Sequence, residues 1–361
     1  MQTRQAYSLD PDPRSAIRDI AAQLGESPDA VLLFCSPAYD LGILGPAIAE
    51  TFACPVAGCT SAGHIGRDGF RDGGITALAF SGGDLSIIPH VIHPLDRCTE
   101  RAVQIADRVQ QSGARFGLLF VDGLSKSEER VASALHQAID NVPLIGASAG
   151  DDLLFQRTCI YHDGRFLSDA ALFCAVRTPM RVATFKFQHI VPGERRVVIT
   201  DADPEERVIR EIDGLPAAER YAELVGVDPS ELDGDVFLRH PLVLKVDEDS
   251  FVRSIAGVGA NQSLNCFCAV DTGMVLSLGR ALDPVAAIES AFARASERVG
   301  TPHVILGMDC ITRRLEFKQS GMLDRIGALL AANRVFGFST YGEQFNSYHV
   351  NQTFTGVAIG E

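Results

Sequence analysis

No two of the nine cysteines in this chain are spaced as CxxC. That absence removes the usual frame of a structural zinc site, and without CxxCH the usual covalent attachment of c-type haem is removed too. The cysteines fall at Cys35, Cys54, Cys59, Cys98, Cys159, Cys174, Cys266, Cys268 and Cys310. Their number is odd and most lie in apolar runs, so they read as reduced core thiols rather than a disulfide framework. HExxH and HxH are missing, and no His/Asp/Glu cluster suggests a metal centre. No apolar run approaches the roughly 18 residues that span a bilayer. The N-terminus, MQTRQAYSLDPDPRSAIRDI, has no apolar signal core, because Asp10, Asp12 and two prolines interrupt it. Lysine and arginine are scattered without a basic cluster on a chain of net charge −14, which disfavours nucleic acid and anionic membranes as partners. A cytoplasmic protein is expected.

What is present is a chain of 361 residues, 46% hydrophobic, long enough for two or three domains with a large core. Its last 26 residues read FGFSTYGEQFNSYHVNQTFTGVAIGE. Glu343, Gln344, Asn346, His349, Asn351, Gln352 and Thr353 crowd between two apolar runs. Strand-turn-strand sequence does not need that density of hydrogen-bonding side chains, so a polar site on a rigid scaffold is expected.

One pattern is written three times. The first copy starts at Val31-Leu32-Leu33-Phe34 and continues through the helix-like GILGPAIAETF, PVAGCTSAG and the strand ITALAFSGG. The second starts FGLLFVDG, has the helix SEERVASALHQAI with Ser125-x-x-Glu128 as a capping box, then VPLIGASAG, RTCIYHDG and AALFCAVR. The third starts HVILGMDC, has Met322, Leu323, Ile326, Leu329 and Leu330 at helical spacing, then RVFGFSTYG and TFTGVAIG. Each copy runs a strand into paired glycines: Gly58 and Gly63, Gly146 and Gly150, Gly337 and Gly342. Such pairs permit positive φ and close backbone approach.

Asp283 to Val299 reads as a further helix, capped by Asp283, with Pro284 at its first position and Gly300 at its end. Between the second and third copies, VATFKFQHI, RVVITDA, PLVLKVD, FVRSIAGV, NCFCAV and GMVLSLG are strand-like at short spacing, which predicts antiparallel pairing. The expected fold class is mixed α/β, with layered, largely antiparallel or mixed sheets, outer helices and repeated strand-helix-strand-strand units. The acidic stretch DADPEER suggests two domains, 1–200 and 201–361.

Several constellations carry both a chemical and a plain reading. Gly146-Ala147-Ser148-Ala149-Gly150 matches GxSxG, but a nucleophile elbow needs a helix after the serine, and DDLLFQRTCIYHDG reads as loop and strand. A structural turn is favoured over a hydrolase. Cys310 precedes Arg313 and Arg314, and a cation can activate a thiol; the plain alternative is a core cysteine. His349, between Tyr348 and Asn351, is either a hydrogen-bonded structural residue or a ligand. His64 follows Gly63 and is expected at a similar corner; His189 and His303 adjoin apolar strands.

VAGCTSAGHIG, PLIGASAGDD, TCIYHDGRFLSDAALFCAV, IDGLPAAERYAEL, MDCITRR and GFSTYGEQ…HVNQTFTGVAIG together resemble the FIST domain family over nearly the whole chain, with an N region of residues 1–200 and a C region of 201–361. Thr312 stands where typical members have glycine. The resemblance implies a small-ligand sensor rather than an enzyme. Its NosP subgroup binds haem b, senses nitric oxide and regulates a separate histidine kinase or a cyclic-di-GMP synthase or phosphodiesterase. On that reading His349 is the iron ligand, Tyr348 and Asn351 or Gln344 orient it, and Arg313 or Arg334 pairs a propionate. The alternative is a module for amino acids or related small molecules without haem. There Glu343 takes an ammonium, Arg313 a carboxylate, and Tyr341, Gln344 and Asn351 orient the ligand. A hydrolase using Ser148 or Cys310 ranks third. The oligomeric state is left open, a homo-oligomer included.

Overall fold

Alternate residues of each apolar run pack to opposite sides, which is why the runs are apolar throughout. In the computed structural model, which describes residues 1–361, Leu32 and Phe34 join a central core, while Val31, Leu33 and Cys35 pack with Ile17, Ile20, Leu44 and Ile48 of two helices. Phe116, Leu118 and Phe120 repeat the inward set, and Leu119 and Val121 the outward one.

The first copy comprises β1 (Gln2–Ser8), α1 (Pro13–Leu24), β2 (Ala30–Cys35), α2 (Leu41–Thr51), β3 (Val56–Thr60), the hairpin β4 (His64–Gly66) and β5 (Gly69–Arg71), and β6 (Ile75–Ser81). The second comprises β7 (Ser86–Ile92), α3 (Cys98–Ser112), β8 (Phe116–Val121), α4 (Glu128–Ile139), β9 (Leu144–Ser148), the hairpin β10 (Ile160–His162) and β11 (Arg165–Leu167), and β12 (Ala171–Arg177). The third opens with β13 (Arg181–Phe187). It is then interrupted by β14 (Ile190–Asp203), β15 (Val208–Ile212), β16 (Leu215–Pro216), α5 (Ala217–Val225), α6 (Gly234–Arg239), β17 (Leu242–Val246), β18 (Asp249–Arg253), β19 (Ile255–Val258), β20 (Leu264–Cys266) and β21 (Val275–Ala281). It resumes at α7 (Pro284–Val299) and continues with β22 (Val304–Cys310), α8 (Ile311–Gln319), α9 (Leu323–Ala332), β23 (Val335–Thr340), β24 (Glu343–Phe345), β25 (Tyr348–Val350) and β26 (Phe354–Gly360).

The copies build sheets of one order: β1-β6-β2-β3, β7-β12-β8-β9 and β13-β26-β22-β23. The β2–β3, β8–β9 and β22–β23 pairs are parallel, and β6, β12 and β26 run antiparallel to β2, β8 and β22. Each sheet is then extended by a hairpin from another copy. β10 adds to β3, β4 adds to β23, and β24 adds to β9. The inner faces share one core, in which Phe34 stacks on Phe338 at 4.2 Å between centroids and meets Phe120 edge-on at 5.6 Å.

The first glycine of each pair is required by close approach. A Cβ on Gly58 would lie 1.7 Å from the Leu33 carbonyl oxygen, one on Gly146 2.5 Å from that of Leu119, and one on Gly337 1.6 Å from that of Gly307. Of the second glycines, Gly63 (φ 114°) and Gly342 (φ 149°) have positive φ, whereas Gly150 does not. The capping box at Ser125 is not formed. α4 begins at Glu128, and Ser125 instead donates to the Asp122 carbonyl at 2.7 Å, a local turn bond that competes with helix initiation.

The chain forms two compact units: residues 1–186, 289–348 and 354–361, and residues 187–288 with 349–353. The second unit is the interrupting segment plus His349–Thr353. It is an antiparallel sheet, β18-β17-β21-β14-β15-β20-β19, with β16 on β15. Tyr221 of α5 and Phe237 of α6 pack into its core with Val197, Ile209, Leu242 and Leu276, and the Tyr221 hydroxyl donates to the His240 carbonyl at 2.7 Å. No helix is long and apolar enough to cross a membrane.

Candidate functional site

In the first unit the carboxyl ends of the three parallel pairs converge. Open α/β sheets characteristically place ligands beyond such ends. Three backbone bonds close a ring there: Ala62 N–H to Ser339 O at 3.0 Å, Tyr341 N–H to Ser148 O at 3.3 Å, and Gly150 N–H to Thr60 O at 3.1 Å. Thr60, Ser148 and Ser339 are equivalent positions in the copies, and all three are fully buried. The polarity at the strand ends is thus consumed by cross-copy bonding, as buried polar groups demand.

Beside the ring lies a cavity of about 250 Å³, lined by residues that include Asp72, Asp152, Leu153, Arg314 and Lys318. Arg314, on α8, is only 6% exposed. Its guanidinium donates to the Ala62 carbonyl at 3.2 Å and to Asp72 Oδ1 at 2.9 Å, and lies 5.3 Å from the centroid of the Phe70 ring. Gly63 makes room for it, since a Cβ there would sit 1.6 Å from Arg314 Nη1. Desolvation lowers the Arg314 pKa, opposed by Asp72, Asp309 and Asp152. Desolvation raises that of Asp152, opposed by the Ser36 hydroxyl, which donates to Asp152 Oδ2 at 2.6 Å. Two carboxylates and two cations therefore face one small volume. A larger hollow of about 690 Å³, lined by Tyr39, Asp40, Arg157, Arg165 and Phe166, has both its arginines exposed.

The loop after β9 forms one wall. The buried Asp151 carboxylate accepts from the N–H groups of Phe155, Gln156 and Arg157 at 2.9, 2.7 and 2.8 Å, and from the Tyr341 hydroxyl. Tyr341 Oη in turn accepts the Leu153 N–H at 2.8 Å, and its ring stacks on Phe155 at 4.9 Å.

The residues singled out from the sequence are distributed as follows. Tyr341, Glu343, Gln344, Arg313, Arg334 and Tyr348 belong to the first unit, and His349 and Asn351 to the second. Glu343 is fully buried and accepts the Thr340 hydroxyl; Gln344 Nε2 donates to Ser148 Oγ at 3.0 Å. Arg313 is 1% exposed and donates from Nε to Asp309 Oδ1 at 2.6 Å. Arg334 is exposed and precedes β23, at the strand end opposite Tyr341. Tyr348 is 49% exposed, whereas His349 is 4% and Asn351 1%. No group of three or more His, Cys, Asp or Glu side chains is arranged to hold a metal ion.

After Ser148 the chain enters the loop and β10, with no helix. Cys310 is buried and accepts the Thr312 hydroxyl at 3.1 Å. The cavity's own charged residues, Asp72, Asp152, Arg314 and Lys318, were not singled out for a ligand by sequence. Both arginines of MDCITRR lie on α8, and adjacent helical residues point about 100° apart. Arg313 turns to Asp309, and Arg314 to the cavity.

A family model described as the FIST N domain matches residues 29–215, and one described as the FIST C domain matches residues 217–346. Uncharacterized protein MJ1623 of Methanocaldococcus jannaschii is 26% identical over 181 residues, covering 46% of this chain and 34% of that protein. The chain thus spans about a third of that relative's length.

Proposed function

The chain belongs to the FIST family, whose domains sense small ligands, and on that premise we propose that it senses a small zwitterion of the amino-acid type, bound in the Arg314 cavity. The observation that carries this reading is a buried guanidinium and two carboxylates lining one cavity of about 250 Å³. Cavities of about 300–1,000 Å³ take drug-sized ligands, so this one suits something smaller. Arg314 would take a carboxylate by a charge-assisted fork, and Asp152 and Asp72 an ammonium. A pure anion meets the two aspartates, and a pure cation meets Arg314 and Lys318; a zwitterion satisfies both pairs.

This cavity does not suit haem. No histidine lines it, its walls are charged, and a porphyrin is far larger. The output we infer is a change in a surface read by a signalling partner, driven by the ligand's preference for one conformation.

The test is a thermal-shift screen of the purified chain against amino acids and related zwitterions, beside an absorption spectrum with and without hemin. Saturation at 100 times Kd adds about 2.7 kcal/mol of stability, a shift of a few degrees. The shift should vanish in Arg314→Met and in Asp152→Asn. No shift with any zwitterion, together with a hemin Soret band lost in His349→Ala, would defeat this reading in favour of haem.

A further inference from the structure

We propose that one face of the second unit is a recognition site for a small ligand bearing a neutral carboxamide. It does not rest on the Arg314 cavity. Val252 of β18 and Asn351 form an antiparallel bridge, which sets their side chains on one face. Ser250 and Ser254 share that face, two residues to either side of Val252. Gln188 joins the row, since its Nε2 donates to Ser250 Oγ and to the Ile190 carbonyl, both at 2.9 Å.

Four buried atoms along this row have no hydrogen-bond partner: Asn351 Oδ1 and Nδ2, Gln188 Oε1 and Ser254 Oγ. Asn351 is 1% exposed and Ser254 4%. The large majority of buried side-chain polar atoms in folded proteins are paired, because an unpaired one keeps its full desolvation penalty. Four on one face, two of them on a single amide, mark a buried row built for something small that completes them.

The valences select the ligand. Asn351 offers a donor and an acceptor, Gln188 an acceptor, and Ser254 a hydroxyl that serves as either. A carboxylate satisfies Asn351 Nδ2 and Ser254 but opposes Asn351 Oδ1 and Gln188 Oε1. An ammonium satisfies Asn351 Oδ1, Gln188 Oε1 and Ser254 but opposes Asn351 Nδ2. A carboxamide pairs with Asn351 through both its oxygen and its NH₂, and its remaining N–H can reach Gln188.

The experiment is saturation-transfer NMR on the full chain with acetamide and nicotinamide as probes and acetate and methylammonium as comparisons. Both amides should give signals, and the two ions none that depend on Asn351. The amide signals should disappear in Asn351→Leu and persist in Arg314→Met, which separates this site from the zwitterion cavity. Asn351→Asp keeps the shape but removes the donor, and should exchange the amide response for one to methylammonium. Amide signals that are absent, or unchanged in both Asn351 variants, would overturn the proposal. So would a crystal soaked in acetamide that shows only ordered water on these four atoms.

Discussion

The Gly74 carbonyl, which can only accept, sets the proton of the His64 ring on Nε2. Nε2 donates to the Gly74 carbonyl at 3.3 Å, and Nδ1 lies 3.3 Å from the Ser61 hydroxyl. Burial drives the imidazole pKa down to about 4. The unfolded chain therefore binds a proton near pH 6.5 that the folded chain refuses. Stability contributed by the neutral ring is complete above pH 6.5 and is lost as pH falls towards 4, by roughly 3 kcal/mol at most. Urea midpoints of wild type should drop over this interval, and those of His64→Asn should drop less. An identical pH slope in the two proteins would contradict the buried neutral imidazole. The sequence placed His64 at a corner after Gly63 because a glycine after a strand marks a turn. It could not reveal the partners, since Gly74 meets the ring from the far side of the β4–β5 hairpin. The polar tail is legible as polar, but its partners are not. Glu343 and Gln344 bond to Thr340 and Ser148, far apart in sequence in the second case, and the charges around the Arg314 cavity come from three separate segments.

Segment 151–157 behaves as a latched wall of the Arg314 cavity. Asp152, Leu153 and Phe155 all have positive φ, at 55°, 65° and 51°, which is costly for bulky L-residues. Leu154 and Phe155 are 57% and 48% exposed, so burial does not offset that strain. What holds the segment is the Asp151 carboxylate and the Tyr341 hydroxyl, which bonds to both Asp151 and the Leu153 N–H. Tyr341→Phe keeps the ring stacked on Phe155 but removes both bonds. A bond to a charged group is worth about 1.5–3 kcal/mol, so the open population should rise roughly 10- to 100-fold. Native-state chymotrypsin cleavage after Leu154 or Phe155 should accelerate accordingly, because cleavage of a rapidly reclosing segment tracks its open population. Equal cleavage rates would mean that the latch does not hold the wall. The regular elements were far more legible than this segment. The apolar runs of β2, β8 and β22 and the Asp283–Pro284 start of α7 are written in local sequence, and Asp283 Oδ1 does accept the Val285 N–H at 2.9 Å. The wall is held by a carboxylate and a phenol 190 residues apart.

At the scale of the molecule, the three copies are legible as copies, but their arrangement is not. A short hairpin carries no record of which sheet edge it joins, so the exchange of β4, β10 and β24 among the copies is invisible to periodicity. The break in the third copy is hidden similarly, since β13 reads as one more strand before the inserted segment begins. The exchange has a mechanical consequence for the first unit. Copy one lends a hairpin to copy three, copy three to copy two, and copy two to copy one, and the ring of bonds through Ala62, Tyr341 and Gly150 follows the same circuit. No copy can leave without stripping an edge from a second and exposing the shared core around Phe34, Phe120 and Phe338. The three copies should then open as one cooperative body, unlike stacked repeats that contact only sequential neighbours and can unravel from an end. Native-state hydrogen exchange measures this directly. The central amides of β3, β9 and β23 should converge, as denaturant is added, on one opening free energy and one denaturant dependence. If the amides of one copy instead exchanged through a separate, lower-energy opening while the other two stayed protected, the hairpin exchange would not be what binds the copies together.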